Sequence, residues 1–193
     1  MDGRLKSEGV LDFDGYTSMM QKLLSIAWGS EWGVFTEDSP TTTEASNVKF
    51  PLIIYGIEEM QAGMIGKNTR EIKPRQREAI VRQVDETRSE RISVLGQRID
   101  YVVEFRVWEE NNKKLMDLHK RFRDFMKTYT GYMMQQGVIQ ITFLDMKKMP
   151  ENLRDAGVSY RYRYLVTLEE VTVIPQDTFQ RVIMEYESGL GEE

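Results

Sequence analysis

The sequence predicts an α+β fold: a mixed or antiparallel β-sheet with a long helix and an N-terminal helix packed on it, plus an extended arm or hairpin. Three observations support this prediction. Residues 100–108 alternate apolar and polar side chains, which is typical of a strand buried on one face. Residues 115–133 repeat apolar side chains every three or four positions, as an amphipathic helix does. Residues 138–146 and 158–168 then return to the alternating pattern.

Each of these elements has an expected buried face. The strand at 100–108 should bury Tyr101, Val103, Phe105 and Val107, opposite Asp100, Glu104 and Arg106. The helix should bury Leu115, Leu118, Phe122, Phe125, Met126, Tyr129, Tyr132 and Met133, with an N-cap within 109–112 and a stop at Gly137. The strand at 138–146 should bury Ile139, Ile141 and Phe143. The last strand should bury Val158, Tyr160, Tyr162, Tyr164, Val166 and Leu168, opposite Arg161 and Arg163.

The N-terminal third predicts one helix and one strand. Asp14 is the expected cap of a helix over residues 15–28, whose apolar stripe is Tyr16, Met19, Leu23 and Ile26 or Ala27. Gly29 and Gly33 bracket a loop, and residues 38–47 are polar and contain Pro40, so they predict an exposed loop. Residues 50–57 are rich in β-formers, with Pro51 at a strand entry.

The middle of the chain, about residues 63–97, is an arm or a long hairpin. Residues 75–90 fit either a short amphipathic helix or an extended segment, and the alternation at 80–84 and 92–94 favours the hairpin. We expect a single domain over residues 1–193, with its core at about 14–57 and 99–174. Residues 176–193 are a candidate C-terminal docking segment, because Phe179, Val182, Ile183 and Tyr186 have helical spacing.

The composition offers little chemistry. The chain has no cysteine and one histidine, His119, which we expect at the surface or at its boundary. No phosphate-binding glycine motif occurs, and adjacent acidic pairs such as Glu109–Glu110 do not by themselves converge on a site. We therefore expect no enzyme activity and no catalytic, cofactor-binding or metal-binding residues. No secretory signal or run of ~20 apolar residues is present, so we expect synthesis in the cytoplasm and no membrane partner.

The run from Phe105 to Asp145, followed by the strand YRYRYLVTLEEV, resembles the tail-terminator or tail-completion proteins of phages with contractile tails. The similarity is strongest over residues 99–173. The preceding order of elements, a helix at 16–28 and a strand at 51–57, also matches that family. The segment at 63–95 is longer than in the small family members.

This resemblance implies a structural virion protein at the junction of tail and neck, made in the host cytoplasm. Six copies would form a ring that caps the head-proximal end of the tail tube and ends tube and sheath growth. The implied partners are other copies of the chain, the tail tube protein, the sheath protein and the head connector. Genomic DNA would pass through the lumen without specific binding, and the formal net charge of −5 is compatible with this.

Seven cations are candidate partner contacts: Arg70, Lys73, Arg75, Arg77, Arg82, Arg161 and Arg163. Two other functions remain open. One is a neck or head-completion protein on the portal side. The other, which the acidic net charge disfavours, is a nucleic-acid-binding module that stacks bases on the tyrosines at 160, 162 and 164.

Overall fold

The computed structural model describes residues 11–29, 33–37, 49–83, 89–149 and 158–175. Within them lie two helices and eight strands. In chain order these are α1 (Phe13–Trp28), β1 (Val34–Thr36), β2 (Leu52–Ala62), β3 (Met64–Gly66), β4 (Thr69–Arg70), β5 (Arg75–Gln83), β6 (Ser89–Glu109), α2 (Asn112–Gln135), β7 (Gln140–Met149) and β8 (Val158–Pro175). The α+β class is confirmed. The expected C-terminal docking segment at 176–193 lies outside the described residues.

The long strand β6 is the centre of the main sheet. One of its sides pairs with β2 over residues 99–108 and then with β5 over residues 89–96. Its other side pairs antiparallel with β8 from Ile92 to Glu109. Strand β7 pairs with the outer side of β8, and the short β1 runs parallel to β2, so the sheet is mixed. At roughly 3.3 Å per residue, the 21 residues of β6 span about 70 Å.

The core lies between the sheet and the two helices. Residues of β6 and β8 that face each other across the ladder share the helix side, such as Phe105 with Tyr162 and Val103 with Tyr164. Phe122 of α2 packs on this face, with its ring centroid 5.7 Å from that of Phe105 and 5.0 Å from that of Tyr162. The alternation in 100–108 and 158–168 therefore predicts the helix-side face correctly. The expectation that the other face of 100–108 is exposed is wrong in part, because Asp100, Val102 and Trp108 are also buried.

Helix α1 starts earlier than the sequence suggests. Asp12, and not Asp14, is the N-cap: its side chain accepts a hydrogen bond from the Gly15 N–H at 2.7 Å, and Asp14 lies in the first turn. The buried side is also rotated. Its residues are Tyr16, Thr17, Met20, Leu23, Leu24 and Trp28, whereas Ile26, expected in the stripe, is 72% exposed.

Helix α2 has the expected ends. Asn111 accepts a hydrogen bond from the Lys114 N–H at 3.0 Å and caps the N-terminus. At the C-terminus Gly137 has φ +113, and the N–H groups of Gly137 and Val138 donate to Met134 and Met133. This is the Schellman arrangement, which favours glycine because of the positive φ. The expected stripe is wrong only at Tyr132, which is exposed.

The strands are longer than expected, and the short strands β1, β3 and β4 are not predicted individually. Residues 75–83 form β5 and not a helix, and the β5–β6 hairpin continues the main sheet. Residues 34–36 form β1, to which the sequence pattern assigns no strand, and the ring centroids of its Phe35 and of Tyr55 are stacked 4.4 Å apart. A three-residue strand carries too little alternation to be recognised, because its pattern cannot be told from chance.

Candidate interaction surfaces

The C-terminal half of α2 and strand β7 enclose an open groove of about 440 Å³. We call it the α2–β7 groove. The strands contribute mainly apolar side chains to its lining, and α2 contributes one methionine and three polar side chains: Ile141, Phe143, Met146 and Tyr164 from the strands, and Met126, Arg123, Lys127 and Thr130 from α2. Burial raises the pKa of Tyr164 to about 12, so its hydroxyl stays protonated at neutral pH.

Strand β7 forms an open edge beside this groove. Among the described strands it pairs only with β8. The register shifts between Phe143 and Asp145, so Leu144 is the extra residue of a β-bulge. Phe143 and Leu144 are 53% and 42% exposed, and Phe143 packs edge-on against Tyr164. An open strand edge with large exposed apolar side chains is a typical protein contact surface.

The sheet face opposite the helices carries a charge network. Arg163 donates to Asp145 Oδ2 through Nη2 at 2.6 Å and Nε at 3.0 Å, and to Glu58 through Nη1 at 3.2 Å. These bonds lower the pKa of Asp145 and raise that of Arg163. Arg161 lies 3.5 Å from Glu104. Both candidate contact arginines of β8 are thus paired with carboxylates of the same chain.

The other candidate cations lie around the junction of β2, β5 and β6. Arg70 donates to the buried Asp100 at 3.1 Å and to the Ala62 carbonyl at 2.6 Å. Arg75 pairs with Glu71 at 3.0 Å, and Lys73 is exposed. Arg77 and Arg82 lie on β5, but their side chains are outside the described part. The structure therefore brings Arg70 and Arg75 to one junction and places Arg161 and Arg163 elsewhere on the sheet.

His119 is buried, contrary to the expectation of a surface or boundary position. It is 8% exposed, its Nδ1 is hydrogen-bonded to the Tyr162 hydroxyl, and its ring lies 5.1 Å from that of Tyr160. Tyr162 and Tyr164 are buried beneath α2. Their rings are covered by the protein, so they offer no platform for stacking bases.

The sequence did not predict the α2–β7 groove or the buried Glu71. The groove combines residues more than ten positions apart, which come together only when β7 pairs with β8. The sequence carries one signal for the groove, which is Phe143. Its pattern predicts a buried position, whereas the structure places it half-exposed on β7, at the edge of the described sheet. Glu71 looked like one acid among many in a mixed-charge segment.

Within the described residues, no group of three or more metal-ligating side chains comes together. None of the helices described is both long and apolar enough to span a membrane. A comparison with models of known protein families gives no match, and a search of curated proteins finds no similar sequence.

Proposed function

We propose that this chain is a structural protein of a contractile phage tail that assembles into a ring, of six copies by family resemblance, at the head-proximal end of the tail tube. There it ends tube and sheath growth and provides the surface on which the head connector docks. Its partners are its own copies, the tail tube protein, the sheath protein and the connector. DNA passes through the ring without specific binding.

The observation that carries the proposal is the open edge of β7 beside the α2–β7 groove. Exposing Phe143 and Leu144 to water is unfavourable, at roughly 25 cal/mol per Å² of apolar surface, so covering them with another subunit is favourable. Ring interfaces are heterologous, and one such patch per subunit, meeting a different patch on the next, is what closure by rotation requires. The resemblance over residues 99–173 supplies the place in the virion.

The test combines the mass of the purified protein in solution with negative-stain images of the same sample. We expect uniform rings, and tubes of defined length when the protein is added to polymerising tail tube protein. Phe143→Asp should lose the ring mass, because a buried carboxylate at the interface is unfavourable. Ile26→Asp, which changes an apolar residue on α1 that is even more exposed than Phe143, is the control and should keep it. A monomer, or tubes of uncontrolled length, would contradict the proposal.

Binding assays against the separate partners locate the ring. Binding to the tube protein supports the terminator function, whereas binding to the connector alone would assign the chain to the portal side. A nucleic-acid module requires DNA or RNA binding that weakens steeply with salt. The burial of Tyr162 and Tyr164 argues against it, and no binding at low salt would remove it.

A further inference from the structure

We propose that the α2–β7 groove receives the C-terminal segment, residues 176–193, of a neighbouring copy of this chain. The inference deepens the proposed function, on whose self-assembly it rests, by naming the contact that joins one subunit to the next. It is carried by the chemistry of the groove, the apolar spacing and charge of the segment, and the distance between the groove and the end of β8.

The groove fits the apolar side of a helix. Its floor is formed by large side chains, among them Met126, Ile141 and Phe143, and two methionines give it an adaptable surface. Its volume of about 440 Å³ is in the range of sites that enclose a small ligand or several side chains. Phe143 remains 53% exposed in the isolated chain, so the floor is not covered by the described part of the protein.

The segment has the matching pattern. Phe179, Val182, Ile183 and Tyr186 stand at positions i, i+3, i+4 and i+7, which is the spacing of anchors in helix-in-groove recognition.

The charges of the two surfaces are complementary. Residues 176–193 contain five acidic residues and one arginine, a net charge of −4. Arg123 and Lys127 line the groove, and the whole of α2 carries six lysines and arginines against two aspartates. Opposite charges across an interface favour both encounter and the correct orientation.

The distance along β8 assigns the segment to a neighbouring copy. The groove residue Ile141 pairs with Val166, nine positions before Pro175 on β8, which is about 30 Å at roughly 3.3 Å per residue. Phe179 follows Pro175 by four residues and can lie at most ~14 Å from it. Ile183 can lie ~29 Å from Pro175 only when the chain between them is fully extended. A helix, at about 1.5 Å per residue, reaches far less. The four anchors therefore cannot enter the groove of their own chain as a helix.

Cross-linking of the full-length chain tests the inference, and the absence of native cysteine makes it specific. The variant Thr130→Cys/Ile183→Cys places one thiol on the groove rim and one on the segment, and leaves the apolar floor intact. A short thiol-reactive cross-linker tolerates small offsets that a disulfide would not. We expect a ladder of covalent oligomers that ends at the number of copies in the assembly. A mixture of the single variants Thr130→Cys and Ile183→Cys should give only covalent dimers, because each chain then carries one thiol. Ile26→Cys/Ile183→Cys is the matched control and should give no ladder.

Charge reversal within the Thr130→Cys/Ile183→Cys variant provides a second test of the same contact. Arg123→Glu/Lys127→Glu should abolish the ladder, while Lys22→Glu/Lys49→Glu, at exposed positions outside the groove, should leave it unchanged. Circular dichroism and the thermal midpoint establish that each variant is folded. Cross-links only within single chains, or a yield no higher than in the Ile26→Cys control, would overturn the inference.

The outcomes separate this inference from the ring proposal. If rings are seen in the microscope but no cross-links form, the ring proposal stands and the groove contact is overturned. A ladder from a protein that forms no closed ring supports the groove contact and contradicts the ring.

Discussion

The carboxylate of Glu71 accepts a hydrogen bond from the backbone N–H of Arg98, with Oε2 2.8 Å from that nitrogen. This bond lies where the neighbour of β6 changes from β2 to β5. The Arg98 carbonyl accepts from the Gly63 N–H at 2.7 Å, and the Gln97 side chain donates to the Glu71 carbonyl at 2.9 Å. A side chain thus replaces the missing strand residue, so that the backbone donor of Arg98 is satisfied although neither β2 nor β5 pairs with it on that side.

Glu71→Ala should destabilise the protein by about 1–3 kcal/mol, because it leaves the partly buried N–H of Arg98 without this acceptor. Glu71 is 1% exposed, so water does not readily take its place. Glu71→Gln keeps an amide oxygen as acceptor and should lose less. Urea unfolding measures both. The control is Glu110→Ala, which removes a surface pair with Lys114 and should cost no more than about 0.5 kcal/mol. Equal losses for Glu71→Ala and the control would contradict this role.

The stability of the protein should decrease as the pH falls below about 6.5, partly because of His119. Burial lowers the pKa of His119, and the nearby Arg123 and Lys120 lower it further. The unfolded chain therefore takes up a proton near pH 6.5 while the native imidazole stays neutral, so stability present above this pH is lost below it. One proton gives a slope of at most about 1.4 kcal/mol per pH unit.

His119→Gln should remove this part of the pH dependence. The measurement is urea unfolding at about pH 7.5, 6.5 and 5.5, a range in which histidine is the principal titrating side chain. The informative quantity is the difference between the two proteins, because carboxylates contribute to both. Parallel curves for the two proteins would show that His119 titrates alike in the folded and unfolded states.

Two glycine-to-alanine changes should act in opposite directions. A Cβ at Gly33 would lie 1.6 Å from the Pro51 carbonyl oxygen, to which the Val34 N–H donates at 2.9 Å. Gly33→Ala must therefore move β1 away from β2, at a cost of about 1–3 kcal/mol. Gly131 lies inside α2, and beyond its own chain neighbours and the helix backbone no atom comes within 4 Å of an added Cβ, so Gly131→Ala should stabilise by about 0.5–1 kcal/mol. Thermal unfolding should show a lower midpoint for the first and a higher one for the second.

Phe122→Ala should be the most damaging of these changes. Its side chain is fully buried between Phe105 and Tyr162, and removing it costs about 3–5 kcal/mol through lost burial and the cavity left behind. Ile26→Ala, at an exposed position of α1, should stay within about 0.5 kcal/mol of the parent. Denaturant unfolding of the two variants provides the comparison, and a Phe122→Ala loss below ~1 kcal/mol would mean that the helix–sheet interface is loosely packed.

The faces of the long elements were predictable because each depends on a local period. The buried residues of β6 and β8 follow from alternation, and the ends of α2 follow from Asn111 and Gly137. The start of α1 was wrong by two residues, since Asp12 and Asp14 are both competent caps. The burial of His119 was missed because its neighbours in sequence are charged, whereas its neighbours in space are tyrosines.

The sequence by itself determined the fold class, the apolar faces of β6, α2 and β8, and the absence of cysteine chemistry, because composition and periodicity are properties of contiguous residues. Only the tertiary structure decided that Glu71 closes the gap between β2 and β5, that Arg163 is held by Asp145 and Glu58, and that β7 is an edge strand of the described sheet, beside a groove. These features depend on strand order and register, which join residues far apart in the chain and leave no periodic trace within it.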